Sequence, residues 1–375
     1  MKKSSCMAVG SGVSRRLTWL MAIACGVLIS GFGIGVARSQ GAAQDEVRSG
    51  PTASDKAAAD EATVVYRHAR PANTSAGAAL KRKEIATRRG ASPSASAAAG
   101  AATATPADND FLRYPGDVTY SGGAVARVSE QHPIFLLPNG RCPIASCWGN
   151  PEAFLRDQNA SEFIHITDQY VRATANNRYP VGAHKLINYK PTPRTAPLTD
   201  NDMIAFVHTV AASLGQTGYA HMYHVFLPPG QDVCLTAGDG VCYSPDVPST
   251  FFFCGYHGSV DFGDIGHVLY SVEPFQNVPG CAVRPGTPNG QLVDSTNNTL
   301  SHEVFETITD PDGDAWFNFA DLALVNQEIA DECSFFVVLP SGMAFFDPTV
   351  SVIGSHRYAV QPEYANNEHA CAGNP

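Results

Sequence analysis

The chain has no G-x-S-x-G turn, no phosphate-cradling Walker loop and no cysteine pair at C-x-x-C spacing. These absences argue against a serine-elbow hydrolase, a P-loop nucleotidase and a zinc ribbon. No internal repeat is present. Positive charge is scarce in the C-terminal part: after position 110 stand 11 Lys and Arg against 27 Asp and Glu, a formal charge of −16. Such a surface repels phosphate backbones, so nucleic acid is not the expected partner, whereas cations and basic substrates suit it. Large apolar residues are few from Gln40 to Asp110, where Ala, Ser, Thr and Pro dominate without a sustained helical stripe. That composition buries too little surface to offset its ordering entropy, and it predicts a disordered tether or pro-segment over 40–110.

What is present begins with a targeting signal. Lys2, Lys3, Arg15 and Arg16 precede an uncharged apolar run from Leu17 to Ala37, followed by Arg38-Ser39-Gln40. A basic start, an apolar run and small residues at Ala37 and Ser39 make residues 1–39 a secretory signal peptide of general bacterial type. Ser14-Arg15-Arg16 only hints at twin-arginine export, because Thr18 and Trp19 stand where larger apolar residues belong. Cys25 sits inside the apolar run, so a lipoprotein is not indicated. Four glycines and Ser30 make that run a poor permanent anchor. The expectation is an extracytoplasmic protein, secreted or in the periplasm or at the cell surface, with no stable membrane insertion once the signal is removed.

The working part is then one acidic domain, residues 111–375, long enough for a full core. Of the 10 cysteines, removal of Cys6 and Cys25 with the signal leaves an even set, which in an exported domain implies disulfides. Sequence does not fix their connectivity; the simplest arrangement, neighbour pairing, gives Cys142 with Cys147, Cys234 with Cys242, Cys254 with Cys281 and Cys333 with Cys371. Thiolate chemistry is correspondingly disfavoured. Short β-branched and aromatic runs predict strands at Pro133–Leu137, Met222–Leu227, Thr250–Cys254, His267–Val272 and Phe335–Leu339. A helix capped at Thr199-Asp200-Asn201-Asp202 runs to Gly215, and a second covers 295–309, stopped by Pro311, with Leu300, Val304 and Ile308 as its buried stripe. The fold class is α/β: a mixed sheet with flanking helices and disulfide-braced loops.

On the second helix, Ser301-His302-Glu303-Val304-Phe305-Glu306 contains H-E-x-x-E. His302 and Glu306 lie one turn apart on one face, where both reach a single metal ion, and Glu303 stands within reach of a metal-bound water. By itself the pattern equally describes a solvated helix face. A second acidic cluster, Glu328-Ile329-Ala330-Asp331-Glu332, begins 26 positions after His302. The arrangement looks like that of the thermolysin-like zincins, in which a Glu on a following helix is the third ligand and a downstream Asp bonds the first His. That likeness implies Glu328 as ligand, Asp331 as a supporting carboxylate and a zincin-like fold. Glu306 in place of a second His makes the site more anionic, so manganese or calcium joins zinc, the foremost expectation, as its divalent metal.

The stretch from Leu300 to Pro311, then Ala315-Trp316, then Glu328-Ile329-Ala330-Asp331-Glu332-Cys333, resembles the EXORDIUM-like (phosphate-induced protein) family and its bacterial secreted relatives. Tyr120-Ser121-Gly122-Gly123, Cys254-Gly255-Tyr256-His257-Gly258 and Gln361-Pro362-Glu363-Tyr364-Ala365-Asn366 agree with it in order. The resemblance implies a secreted or cell-wall-associated protein, with Asp310 of the same motif among the supporting carboxylates. Two rival ligands remain. Asp312 lies ten residues after His302, the offset of a metzincin third ligand, and His257 stands beside Cys254. Asp310-Pro311-Asp312-Gly313-Asp314 opens like a calcium loop but lacks the glycine and glutamate of an EF-hand. The expected function is a secreted metal-dependent hydrolase, a peptidase in which Glu303 is the base, acting on a peptide or cell-wall substrate. The alternative is a non-catalytic extracellular binding module with a structural metal or none.

Overall fold

A computed structural model describes residues 46–74, 77, 116–318, 327–340 and 343–373. The signal peptide and residues 78–110 of the expected tether lie outside the described residues. In chain order the main elements are β1 (Val47–Ser49), α1 (Ala53–Glu61), β2 (Thr63–Pro71), β3 (Glu130–Pro138), α2 (Pro151–Asn159), β4 (Lys185–Tyr189), α3 (Asp200–Leu214), β5 (His221–Phe226), β6 (Phe253–Phe262), β7 (Gly266–Glu273) and α4 (Gln291–Thr309). The seven strands form one sheet in the order β1-β4-β3-β5-β7-β6-β2. The first five are mutually parallel, whereas β6 runs antiparallel to β7 and to β2.

Strand β3 is buried from Gln131 to Leu137, as a central parallel strand must be when both sheet faces are covered. Its side chains alternate: Ile134 and Leu136 join one core with Ile204, Val207 and Val210 of α3, while Phe135 and Leu137 join the other with Leu300, Val304 and Ile308 of α4. The sheet is therefore the middle layer between α1 and α3 on one side and α4 with α2 on the other. Helix α3 starts on a reciprocal cap, in which Asp202 Oδ2 accepts from Thr199 N at 2.9 Å, and ends at Gly215 with φ 65°. All four disulfides join neighbours in sequence, the simplest arrangement. Among the described residues no helix is long and apolar enough to cross a membrane.

Three expectations are corrected. First, residues 46–74 are not a tether: β1 and β2 form the two edges of the sheet, and α1 packs on α3, with Asp55 Oδ1 2.8 Å from His208 Nδ1. The composition argument failed because this segment needs no core of its own. Small residues such as Ala59 fill gaps in an existing core, and edge strands are held by backbone hydrogen bonds whatever their side chains. The domain accordingly starts well before position 111. Second, α4 begins at Gln291 and is buried on every side from Asp294 to Thr309, so its polar face is no solvated surface. The sheet covers one side, and the hairpin Thr349–Ile353 and His356–Val360 helps to cover the rest. Third, β6 does not stop at Cys254 but continues to Phe262, which makes His257 a mid-strand residue.

Candidate metal centre

Helix α4 presents Thr299, Glu303 and Glu306 toward β6, and β6 answers with a residue lacking a side chain. A Cβ on Gly255 would lie 2.8 Å from Glu303 Oε1 and 2.8 Å from Thr299 Cγ2, so only glycine lets helix and strand approach this closely. Two positions along the same strand face, His257 Nε2 stands 3.2 Å from Glu328 Oε2 and 3.7 Å from Glu306 Oε2. The other oxygen of Glu306 faces the other way: Oε1 lies 3.1 Å from His302 Nε2, which is itself 3.7 Å from Asp331 Oδ1. The backbone N–H of Asp331 donates to the same Glu306 oxygen at 3.1 Å.

Two ligand groups result, His257 with Glu306 and Glu328, and His302 with Glu306 and Asp331, each with its ligating atoms within 4.8 Å of one another. Glu306 belongs to both, one oxygen to each. Glu328 groups with His257 rather than with His302, and Asp331 faces the ring nitrogen that would bind an ion. The opposite ring nitrogen, Nδ1 of His302, lies 3.2 Å from Gln361 Oε1. Gln361 is itself fixed, donating through Nε2 to Ala330 O at 2.6 Å and through its backbone N–H to Asn298 Oδ1 at 2.8 Å. Its oxygen is thus the acceptor, Nδ1 carries a hydrogen, and Nε2 is directed at the carboxylates. A proton or a divalent ion between Nε2 and the two carboxylates satisfies this arrangement.

Charge at the centre is one-sided. Glu273, Glu303, Glu306, Glu328, Asp331 and Glu363 are all buried. Among the described residues the charge opposing them is Arg70 from β2, fully buried, donating through Nη1 to Asn298 O at 3.0 Å with its guanidinium 3.7 Å from the ring centre of Phe346. Burial drives the carboxyls of Glu303, Glu306 and Glu363 well above the usual range. Neighbouring acids add to this for each of the three, and Arg70 opposes it at Glu303 and Glu363. Burial also raises Glu273 to about 8 and pulls Arg70 down to about 10 against the pull of Glu303 and Glu363. Glu273 accepts from Ser271 Oγ at 2.9 Å, and that hydroxyl lies 2.8 Å from His224 Nδ1. Glu303 and Glu363 differ: neither carboxyl oxygen of either has a hydrogen-bond partner among the described residues. A buried group in that state calls for a ligand, a water or a catalytic role.

The remaining expected residues lie elsewhere. Asp310 caps its own turn, accepting from Ala315 N at 2.6 Å. Asp312 faces His267 Nε2 at 3.1 Å and accepts from Tyr219, so neither rival role at this centre, metzincin-like ligand or calcium loop, is met by its contacts. Arg70, Glu273, Gln361 and Glu363 were not singled out from sequence. Gln361 and Glu363 had a signal in the Gln361-Pro362-Glu363 motif, whereas Arg70 had none. No protein-family model matches this chain, and neither curated proteins nor solved structures give a match.

Proposed function

We propose that the chain is an exported metal-dependent hydrolase, most simply a peptidase, with its centre built on Glu306. The observation that carries this reading is the place of Glu303, which, unlike the equally unpartnered Glu363, adjoins His302 on the ligand-bearing helix. A purely structural ion site has no use for a buried carboxylate without a hydrogen-bond partner beside the ligand groups, whereas a hydrolase needs a base at that place. His257, His302, Glu306, Glu328 and Asp331 would hold zinc or a similar divalent ion, which supplies Lewis acidity and a nucleophilic water when bound. Glu303 is the group placed to accept the proton, where a bound cation would offset the burial that otherwise keeps it protonated, and Gln361 orients His302 from behind. The four disulfides suit an extracytoplasmic setting. The H-E-x-x-E likeness to zincins and the resemblance to the EXORDIUM-like family support a secreted site of this kind acting on peptide or cell-wall material.

One observation favours the second reading, a non-catalytic module with a structural ion. His257, His302, Glu303, Glu306 and Glu328 are all 0 % exposed, as the ligands of a closed structural site are. Elemental analysis and a peptide-library cleavage assay on wild type, His302→Ala and Glu303→Gln separate the two. The hydrolase reading expects stoichiometric metal in wild type and in Glu303→Gln, cleavage in wild type alone, and metal loss in His302→Ala. Metal without cleavage in every form supports the module, and protein without metal refutes the ligand assignment.

A further inference from the structure

Away from the buried centre, Glu130, His132 and His221 bring three ligating atoms together where the parallel strands begin. Glu130 and His132 are two apart on β3 and share a face, and His221 of β5 is the register partner of Glu130. His132 Nε2 lies 3.1 Å from His221 Nδ1, and each is 3.7 Å from Glu130 Oε2. Ligands placed tetrahedrally at the ~2.1 Å bond length of zinc stand about 3.4 Å apart. The three separations bracket that spacing.

The surroundings hold these side chains in place. His132 is buried and stacks on Tyr223 with ring centres 4.8 Å apart. Gln216 Nε2 donates to Glu130 Oε2 at 3.1 Å, and the backbone carbonyl of Gln216 accepts from Tyr223 Oη at 2.6 Å. A Cβ on Gly182 would come within 2.9 Å of Glu130 Oε1 and 3.0 Å of His132 Nδ1, so a glycine makes the room. The side chains of His221 and Glu130 keep 20 % and 32 % exposure, which leaves one side of the cluster open.

We propose that Glu130, His132 and His221 form a second, solvent-accessible site for a borderline divalent transition-metal ion of the zinc class, with one coordination position left for water or an external ligand. Two imidazole nitrogens and one carboxylate suit such an ion, whereas calcium and magnesium require mostly oxygen. The site shares no ligand with the Glu306 centre and stands whether or not that centre holds an ion. The test uses the purified chain with its disulfides formed, stripped by a chelator and titrated with zinc, and with cobalt(II) as a visible-absorbing probe. The partners are His221→Asn, which changes a partly exposed side chain, and Gln216→Ala. Wild type should bind one equivalent of zinc more than His221→Asn, and the cobalt absorption of that equivalent should vanish in the variant. Gln216→Ala should keep the equivalent but hold it about ten- to a hundredfold more weakly. Equal stoichiometry and affinity in wild type and His221→Asn would overturn the assignment and reduce the cluster to a hydrogen-bonded imidazole pair.

Discussion

Replacing Arg70 by Met tests whether an N-terminal strand supplies the counter-charge of the acidic centre. The substitution keeps much of the aliphatic stem but removes the hydrogen bond to Asn298 O, the stacking on Phe346 and the positive charge opposing Glu303 and Glu363. Breaking a buried ionic arrangement by deleting one partner costs about 3–5 kcal/mol, because the remaining charges stay desolvated. Here the carboxyls can relieve part of that cost by taking up protons, which makes the loss depend on pH. Arg70 lowers the folded-state affinity of Glu303 and Glu363 for protons, so its removal raises both further above their unfolded values. Folded variant binds more protons than folded wild type only where pH lies between the raised folded-state values of the two forms, so the destabilisation grows as pH rises through that window and is level below it. Urea unfolding at pH 5 and pH 8 measures it. The expected result is a loss of a few kcal/mol that is no smaller at pH 8 than at pH 5. A variant as stable as wild type at pH 8, or a loss larger at pH 5, would show that the guanidinium is not balancing those carboxyls.

Three further outcomes follow from the same contacts. A chain starting at residue 46 should unfold cooperatively, whereas one starting at 116 should lose cooperative unfolding, because both sheet edges and Arg70 go with the deleted segment; near-ultraviolet dichroism on heating reads this. Burial depresses His224 to about 3 from its ordinary 6.5, so its contribution is fully present above pH 6.5 and lost as pH falls toward 3. That loss amounts to roughly 5 kcal/mol at the acid limit, and His224→Gln should flatten the acid limb of the stability curve accordingly. Gly255→Ala drives a methyl group against Glu303 and Thr299, and calorimetry should show a loss of about 1–3 kcal/mol.

Much of the sheet was legible because its central strands are short apolar runs between turn residues, and α3 because its cap and terminal glycine are local signals. The disulfide pairs match the simplest arrangement, neighbour with neighbour, although an even set of eight allows many others. His302, Glu303 and Glu306 could be read as sharing a helix side, since that depends only on helical period. Their partition could not: His257 meets Glu306 because β6 runs on past Cys254, and the shared role of Glu306 depends on side-chain rotamers across three elements. Least legible was the segment from Val47 to Pro71, whose Ala-rich composition resembles a linker. One clue was local, the Thr52-x-x-Asp55 reciprocal cap before α1. The rest of its order is borrowed from strands more than a hundred residues away, as in the pairing of Val47 with Leu186.

Because β1 and β2 occupy opposite edges of one sheet, the segment joining them behaves like a belt fastened around strands that do not yet exist when it is made. It leads the described part of the chain, yet its partners β4 and β6 come only at positions 185 and 253 onward. Such long-range pairing is slow, because loop-closure entropy has to be met before the contacts reward it. The acidic centre inherits this schedule. Arg70 arrives near the start of the described chain and Gln361 and Glu363 near its end, so the centre acquires its charge balance only when both ends have closed on α4. Ion binding at that centre would then report that the domain is complete, and half-made chains would not carry it.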